Sequence, residues 1–366
     1  MTSQLTGLRP NLFADVRWNV TSRDECQLTS ANQEESMRFV PYDEMGSQPN
    51  LIVDGAASPS TVLTLSHWPK SGTPAALKRD TSAEIVFAYL DSPPHHVNAE
   101  AVSNNHFDED GLVGIYTLLN PASAQRQRDL LLDVARAGDF GTYHDRDAAR
   151  IAFAISAFAD AEQSPLPKEL FALPYAAMAA TLYHRLLELL PRLFANPADY
   201  KKLWEAEDNK LTASEALIES GEITITERAD IDLAVVSIPE ALPKETVHRF
   251  TQTREAECHP FAIHSRTERS RILLVRGKRI EFQYRYESWV QYVSKRPPAR
   301  VDLSGLAAEL NEEEASGGHW TFDGVDRITP RLYLEGSADS SLEPGDVERR
   351  LEQHLRVGKA AWKPYD

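Results

Sequence analysis

The sequence predicts an α/β fold: an N-terminal α/β layer on a mainly parallel sheet, a helical connector, and a smaller C-terminal α+β domain. Three observations carry this. Short apolar runs between residues 50 and 103 end in polar loops, as strands do when their functional loops gather at one sheet edge. Residues 168–207 are strongly helical in pattern, and from Glu222 short runs of alternating polarity return. The expected division is an extension over 1–36, an α/β unit over 37–165, a connector over 166–215 and a β-rich unit over 216–366.

Residues 1–36 mix Thr, Ser, Asn, Gln and Glu with few apolar anchors and read as a loosely ordered extension. Order is expected from Met37. Asn50-Leu51-Ile52-Val53-Asp54 and Thr61-Val62-Leu63-Thr64-Leu65 read as strands with turn-forming Gly55 and Pro59 between them. Ala83–Leu90 reads as another β-type run, and a further strand feeds Asn104. After that come helices: an amphipathic one over Ala122–Arg136 stopping at Gly138, one over Ala148–Ala161, and a leucine-rich one broken at Pro191. Ala213–Glu219 reads as a short helix. Ile223–Thr226, Leu233–Val236, Arg271–Val275 and Ile280–Tyr286 read as strands with one face covered.

The chain has 366 residues, 42% of them hydrophobic, with 39 basic against 55 acidic residues and a net charge of −16. A protein of that sign with no basic stripe is a poor partner for long nucleic acid. Its two cysteines, Cys26 and Cys258, form no Cys-x-x-Cys pair, which argues against a zinc knuckle or disulfide framework. No apolar run reaches the length that spans a bilayer, and the N-terminus has no secretion-signal pattern, so the cytosol is the expected compartment. Nothing in the sequence specifies an oligomeric state.

The densest chemistry lies in Asn104-Asn105-His106-Phe107-Asp108-Glu109-Asp110-Gly111. One imidazole and two carboxylates occur at alternating positions, which in an extended segment share one side of the chain. His106, Asp108 and Asp110 are therefore expected to converge on one hard or borderline cation, with Asn105 orienting them. Asp139 is expected as a further ligand on the loop after the next helix, with His144 beside it. His67 and Asp80 follow neighbouring strands, where a site draws its residues; His67 is read as a substrate contact. His95-His96 and Cys258-His259 with His264 read as surface loops.

His106-x-Asp108-x-Asp110-Gly111-Leu112 resembles the first motif of the DHH-type phosphoesterases. Tyr292–Arg296, Val301–Ala307 and Ser316-Gly317-Gly318-His319 resemble, in order and rough spacing, the small C-terminal domain of those enzymes. The resemblance implies a bound divalent metal, Mn²⁺ or Mg²⁺, and a substrate phosphate held by Arg296 and His319, with Gly317 and Gly318 permitting a close approach. The Asp-His-His triplet that names the family is absent after the first motif. The chain also resembles a bacterial family of undefined function, through its Ser-His-Trp-Pro, Asn-Asn-His-Phe-Asp and Ala-Gly-Asp-Phe segments. The expected function is a metal-dependent hydrolase acting on a small phosphorylated or nucleotide-like molecule at an interdomain cleft. The alternative is a catalytically inactive relative that binds a metabolite or protein partner, as the absent triplet suggests.

Overall fold

The structure is a computed structural model that describes residues 37–249 and 252–365. The expected N-terminal extension lies outside the described residues. The fold is mixed α/β. Strands β1 (Arg38–Phe39), β2 (Asn50–Val53), β3 (Thr61–Leu65) and β4 (Ala101–Ser103) form a parallel sheet in the order β1-β4-β2-β3. All four residues of β2 are buried, as a strand covered on both faces requires.

Between β3 and β4 lies α1 (Ser82–Leu90), where the apolar run reads as a strand in sequence. Its buried Ala83, Ile85, Val86, Phe87 and Ala88 leave no polar face to reveal the helical period. What starts the helix is a capping box. Thr81 Oγ1 accepts from Glu84 N–H at 3.1 Å, and Glu84 Oε2 accepts from Thr81 N–H at 3.3 Å.

Helices α2 (Glu109–Leu119), α3 (Pro121–Arg126), α4 (Arg128–Phe140) and α5 (Arg146–Phe158) follow. The helix expected over Ala122–Arg136 is divided at Gln127 and runs on past Gly138. Gly141, in the left-handed region at φ 63°, caps it instead. Gly138 serves packing: a Cβ there meets Glu109 Cβ of α2 at 2.5 Å.

Helix α6 (Tyr175–Ala195) continues through Pro191, where a break was expected. The proline is exposed, while Leu186, Leu190, Leu193 and Phe194 anchor the turns around it in the core. The short helix expected over Ala213–Glu219 is the end of α7 (Lys201–Glu219).

The second half holds β5 (Thr224–Arg228), β6 (Leu233–Ser237), the hairpin β7 (Glu245–Arg249) with β8 (Gln252–Ala256), α8 (Pro260–His264), β9 (Arg271–Arg276) and β10 (Arg279–Tyr284). It ends with β11 (Arg300–Val301), α9 (Ser304–Glu313), β12 (His319–Phe322), β13 (Arg331–Glu335), α10 (Pro344–Val357) and β14 (Ala360–Trp362), which pairs with β11. Six of these strands form a mixed sheet, β12-β13-β10-β9-β6-β5, in which β6 and β9 run parallel.

Contacts gather Met37–Asp366 into one unit. Alternation along β6 explains how its two halves join. Ala234 and Val236 face the apolar cluster of the parallel sheet and helices α1 to α7, while Leu233 and Val235 face a second cluster under α9 and α10. Leu233–Val236 of β6 is buried on both faces, and that run is accordingly apolar without interruption.

Two substitutions test these local causes by urea unfolding. Thr81→Ala removes the α1 cap and is expected to cost about 1 kcal/mol. Gly138→Ala gains up to about 1 kcal/mol if helix propensity governs, but is expected to lose roughly 1–3 kcal/mol because the new Cβ overpacks Glu109.

Candidate metal centre

Five loops and helix ends deliver polar side chains to the carboxyl edge of the parallel sheet, where open α/β sheets place their ligands. β2 ends in Asp54, which adopts a left-handed backbone at φ 52° and is fully buried. The next residue, Gly55, has no Cβ to collide with the amide oxygens of Asn104 and Asn105. Asn105 Oδ1 accepts from Ala56 N–H at 3.1 Å, so it fastens the Asp54 turn to the loop after β4.

β3 ends in His67. Its Nδ1 lies 2.6 Å from the backbone oxygen of Asp80, an atom that only accepts. Nδ1 therefore carries the proton, and Nε2 faces Asp54 Oδ1 at 3.2 Å. This is how a second group fixes the tautomer of a ligating histidine. After β4, His106 Nε2 meets Asp108 Oδ2 at 2.7 Å and Asp54 Oδ2 at 3.3 Å. Asp108 is the N-cap of α2 and accepts from Gly111 N–H at 2.9 Å.

Asp110 lies one step into α2, so its carboxylate points elsewhere. It accepts from the Ser82 and Ala83 N–H groups at the start of α1, at 2.6 and 2.7 Å, and lies 4.0 Å from His67 Nε2. Asp139 stands in the last turn of α4, not on the loop expected after it, 3.5 Å from His67 Nε2.

The expectation that His106, Asp108 and Asp110 meet at one cation is therefore corrected, because the helix begins between them. Two groups form instead. Asp54, His67 and Asp110 make one, and Asp54, His106 and Asp108 the other; within each, the ligand atoms lie within 4.8 Å of one another. Asp54 belongs to both and offers a different oxygen to each histidine.

The electrostatics follow from burial and from the crowding of acidic groups. Burial pushes the Asp110 carboxyl up to about 7 and Asp139 well above the ordinary range, and neighbouring carboxylates add to both shifts. Burial acts against charge on the imidazoles as well, yet the carboxylates raise His67 to about 9 and His106 well above its usual value. Burial also opposes the Asp54 charge, but the two histidines hold it well below the carboxylate range. Two imidazoles thus share this space with four buried carboxylates. Such an oxygen and imidazole set suits hard or borderline divalent cations.

The surroundings hold this set rigidly. Asp80, expected as a possible additional site residue, supports the centre: its Oδ1 accepts from Val293 and Ser294 N–H at 2.7 and 2.8 Å. Gln291 N–H donates to His67 oxygen at 2.7 Å, and Tyr286 hydroxyl lies 3.3 Å from His67 Nε2. These contacts seat the 286–294 segment of the second half over the first. Buried Arg300 anchors that segment, donating to Ser288 Oγ at 2.9 Å and to carbonyls of Val325, Arg327 and Ile328.

Other expected residues stand elsewhere. His144 is 80% exposed and pairs with Asp133 at 3.0 Å. Arg296 stacks over Tyr365 at 4.7 Å and lines a cavity of about 930 Å³ together with Asp80 and Tyr292. His319 starts the edge strand β12 and lies 3.4 Å from Asn311, while Gly318 packs on Leu334 and Ser337. Cys258, His259 and His264, expected on a surface loop, are buried, because α8 inserts Phe261 and Ile263 into the core. Asp54 was missed in sequence. Its signal is an acidic residue closing the apolar run Leu51-Ile52-Val53, with glycine directly after.

Residues 35–366 match the model of a family described as "Family of unknown function (DUF6687)", and the chain belongs to that family. No curated protein and no solved structure matches the chain.

The shared carboxylate sets a stoichiometric test. In metal analysis of protein dialysed against Mn²⁺, Asp54→Ala is expected to lose metal from both groups. Asp108→Asn and Asp110→Asn are each expected to lose one equivalent. Metal content unchanged in all three variants rules the centre out.

Proposed function

We propose that this member of a family of unknown function is a divalent-metal-dependent phosphoester hydrolase acting on a small phosphorylated molecule. The observation that carries this reading is Asp54, one buried carboxylate whose two oxygens face two separate ligand groups. Hydrolytic centres that clamp both the attacking and the leaving oxygen of a phosphoryl group use paired cations a few ångströms apart. The likeness of His106-x-Asp108-x-Asp110-Gly111 to the first motif of the DHH-type phosphoesterases supports the same chemistry. The family's named triplet is absent, and Asp54, His67 and Asp139 are the residues that supply the further donors here.

Cations of this kind, Mn²⁺ or Mg²⁺, polarise a phosphoryl oxygen and make hydroxide available from water near neutral pH. The chain's own residues do the rest. Asp80 oxygen keeps the His67 proton on Nδ1, so the Nε2 lone pair is presented to the centre. The α1 N-terminus holds Asp110 through two N–H groups. The Tyr286 hydroxyl, next to His67, offers a donor to an anionic oxygen. Arg296, which stacks on Tyr365 and lines the cavity beside Asp80, is the guanidinium available for a more distant phosphate.

Mn²⁺-loaded protein is expected to release phosphate or a phosphomonoester from a panel of phosphomonoesters, phosphodiesters and pyrophosphate. Asp54→Ala and Asp108→Ala are expected to lose more than about 100-fold in rate, since the loss of a supporting residue alone reaches that size. A fully metallated chain that turns over none of the panel is instead an inactive relative that binds a metabolite or partner.

A further inference from the structure

The six side chains of the centre differ sharply in their access to water. Asp54, His67 and Asp110 side chains are 0% exposed, Asp139 1% and Asp108 6%, whereas His106 is 22% exposed. A ligand therefore reaches the centre past His106. That approach is lined by aromatic rings. The Trp68 indole lies 5.0 Å from the His106 ring at 30°, and Trp289 meets Trp68 edge-on at 5.4 Å. Tyr286 stacks on Trp289 at 5.9 Å and 17°, with its hydroxyl against His67. Rings from two distant parts of the chain thus form an arc from one histidine of the centre to the other.

Packing alone does not account for this arc. Trp68 and Trp289 are only half-buried. Trp68 Nε1 is buried and has no hydrogen-bond partner among the described residues. A buried indole N–H normally finds an acceptor. At the margin, Tyr175 is 45% exposed, and its hydroxyl accepts from Phe107 N–H at 3.0 Å, one residue from His106. The open side of the centre is thus bordered by half-buried aromatic rings.

We propose that Trp68 and Trp289 form a stacking subsite that selects phosphoesters carrying a planar aromatic group beside the phosphate. A nucleobase has a π-face that can stack on such rings, so nucleotide-type esters fit and simple sugar phosphates do not. This selection rests on the hydrolytic reading of the centre for its place in catalysis, but not for binding. Stacking on one aromatic side chain contributes roughly 10- to 100-fold in binding.

The test compares two phosphomonoesters that differ in the ring, adenosine monophosphate and ribose phosphate, by calorimetry on the full Mn²⁺-loaded chain. Adenosine monophosphate is expected to bind about 10- to 100-fold more tightly. Trp68→Ala is expected to bring the ratio close to one, and Trp68→Phe to restore most of it. Metal content, measured on the same samples, reports whether the His106 group is intact. If Trp68→Ala does not fold, Trp289→Ala serves in its place. Equal affinity for the two ligands, binding of neither, or a ratio unmoved by Trp68→Ala and Trp289→Ala overturns the subsite. Ring-dependent binding without turnover keeps the subsite and removes the hydrolytic reading; turnover with no ring preference does the reverse.

Discussion

The carboxylate of Asp54 is the constraint on which the rest of the structure turns. It is fully buried, it closes the central strand of the parallel sheet, and its oxygens face His67 on one side and His106 on the other. An ionised carboxylate removed from water is costly unless compensated. Here three more carboxylates crowd the same space. Such an arrangement serves no packing purpose, since well-packed apolar residues make a more stable core. Such a set of buried Asp and His side chains at the edge of a parallel sheet could hold a metal ion.

The scaffold supplies the compensation through backbone. The α1 N-terminus gives Asp110 two N–H donors, and the Thr81–Glu84 capping box leaves those donors available by holding the start of the helix open. Ser82 connects three of the parts: its hydroxyl accepts from His67 N–H and donates to Asp54 Oδ1 at 2.7 Å. Asp80 fixes His67 on one side and receives the 293–294 backbone on the other. The C-terminal half is thereby coupled to the centre through hydrogen bonds to the same loop that orients a candidate ligand.

Much of the fold was legible in the sequence for a simple reason. β2, β3, β5, β6, β9 and β10 combine β-branched residues with turn chemistry at their ends, and their positions agree with expectation. The failures have specific causes. Ala83–Leu90 is apolar except for Glu84, so its helical period is hidden and only Thr81-x-x-Glu84 announces the helix. Gly138 imitates a helix end because a glycine required by a close helix–helix approach looks the same in sequence as a terminal one. Pro191 is tolerated because its ring faces solvent while its neighbours are held in the core.

For the centre, the sequence alone placed His106 and Asp108 near one another, two residues apart in an extended segment. It also marked His67, Asp110 and Asp139 as residues to watch. Only the tertiary structure decided how they are shared out. The helix that begins at Glu109 turns Asp110 away from His106, and β2, which lies between β3 and β4 in the sheet, sets Asp54 between the two histidines. Strand order is a long-range property, set by which apolar faces bury one another, and no local pattern at Asp54 records it. The aromatic arc from Trp68 to Trp289 has the same origin, since its rings come together only when the two halves of the chain pack.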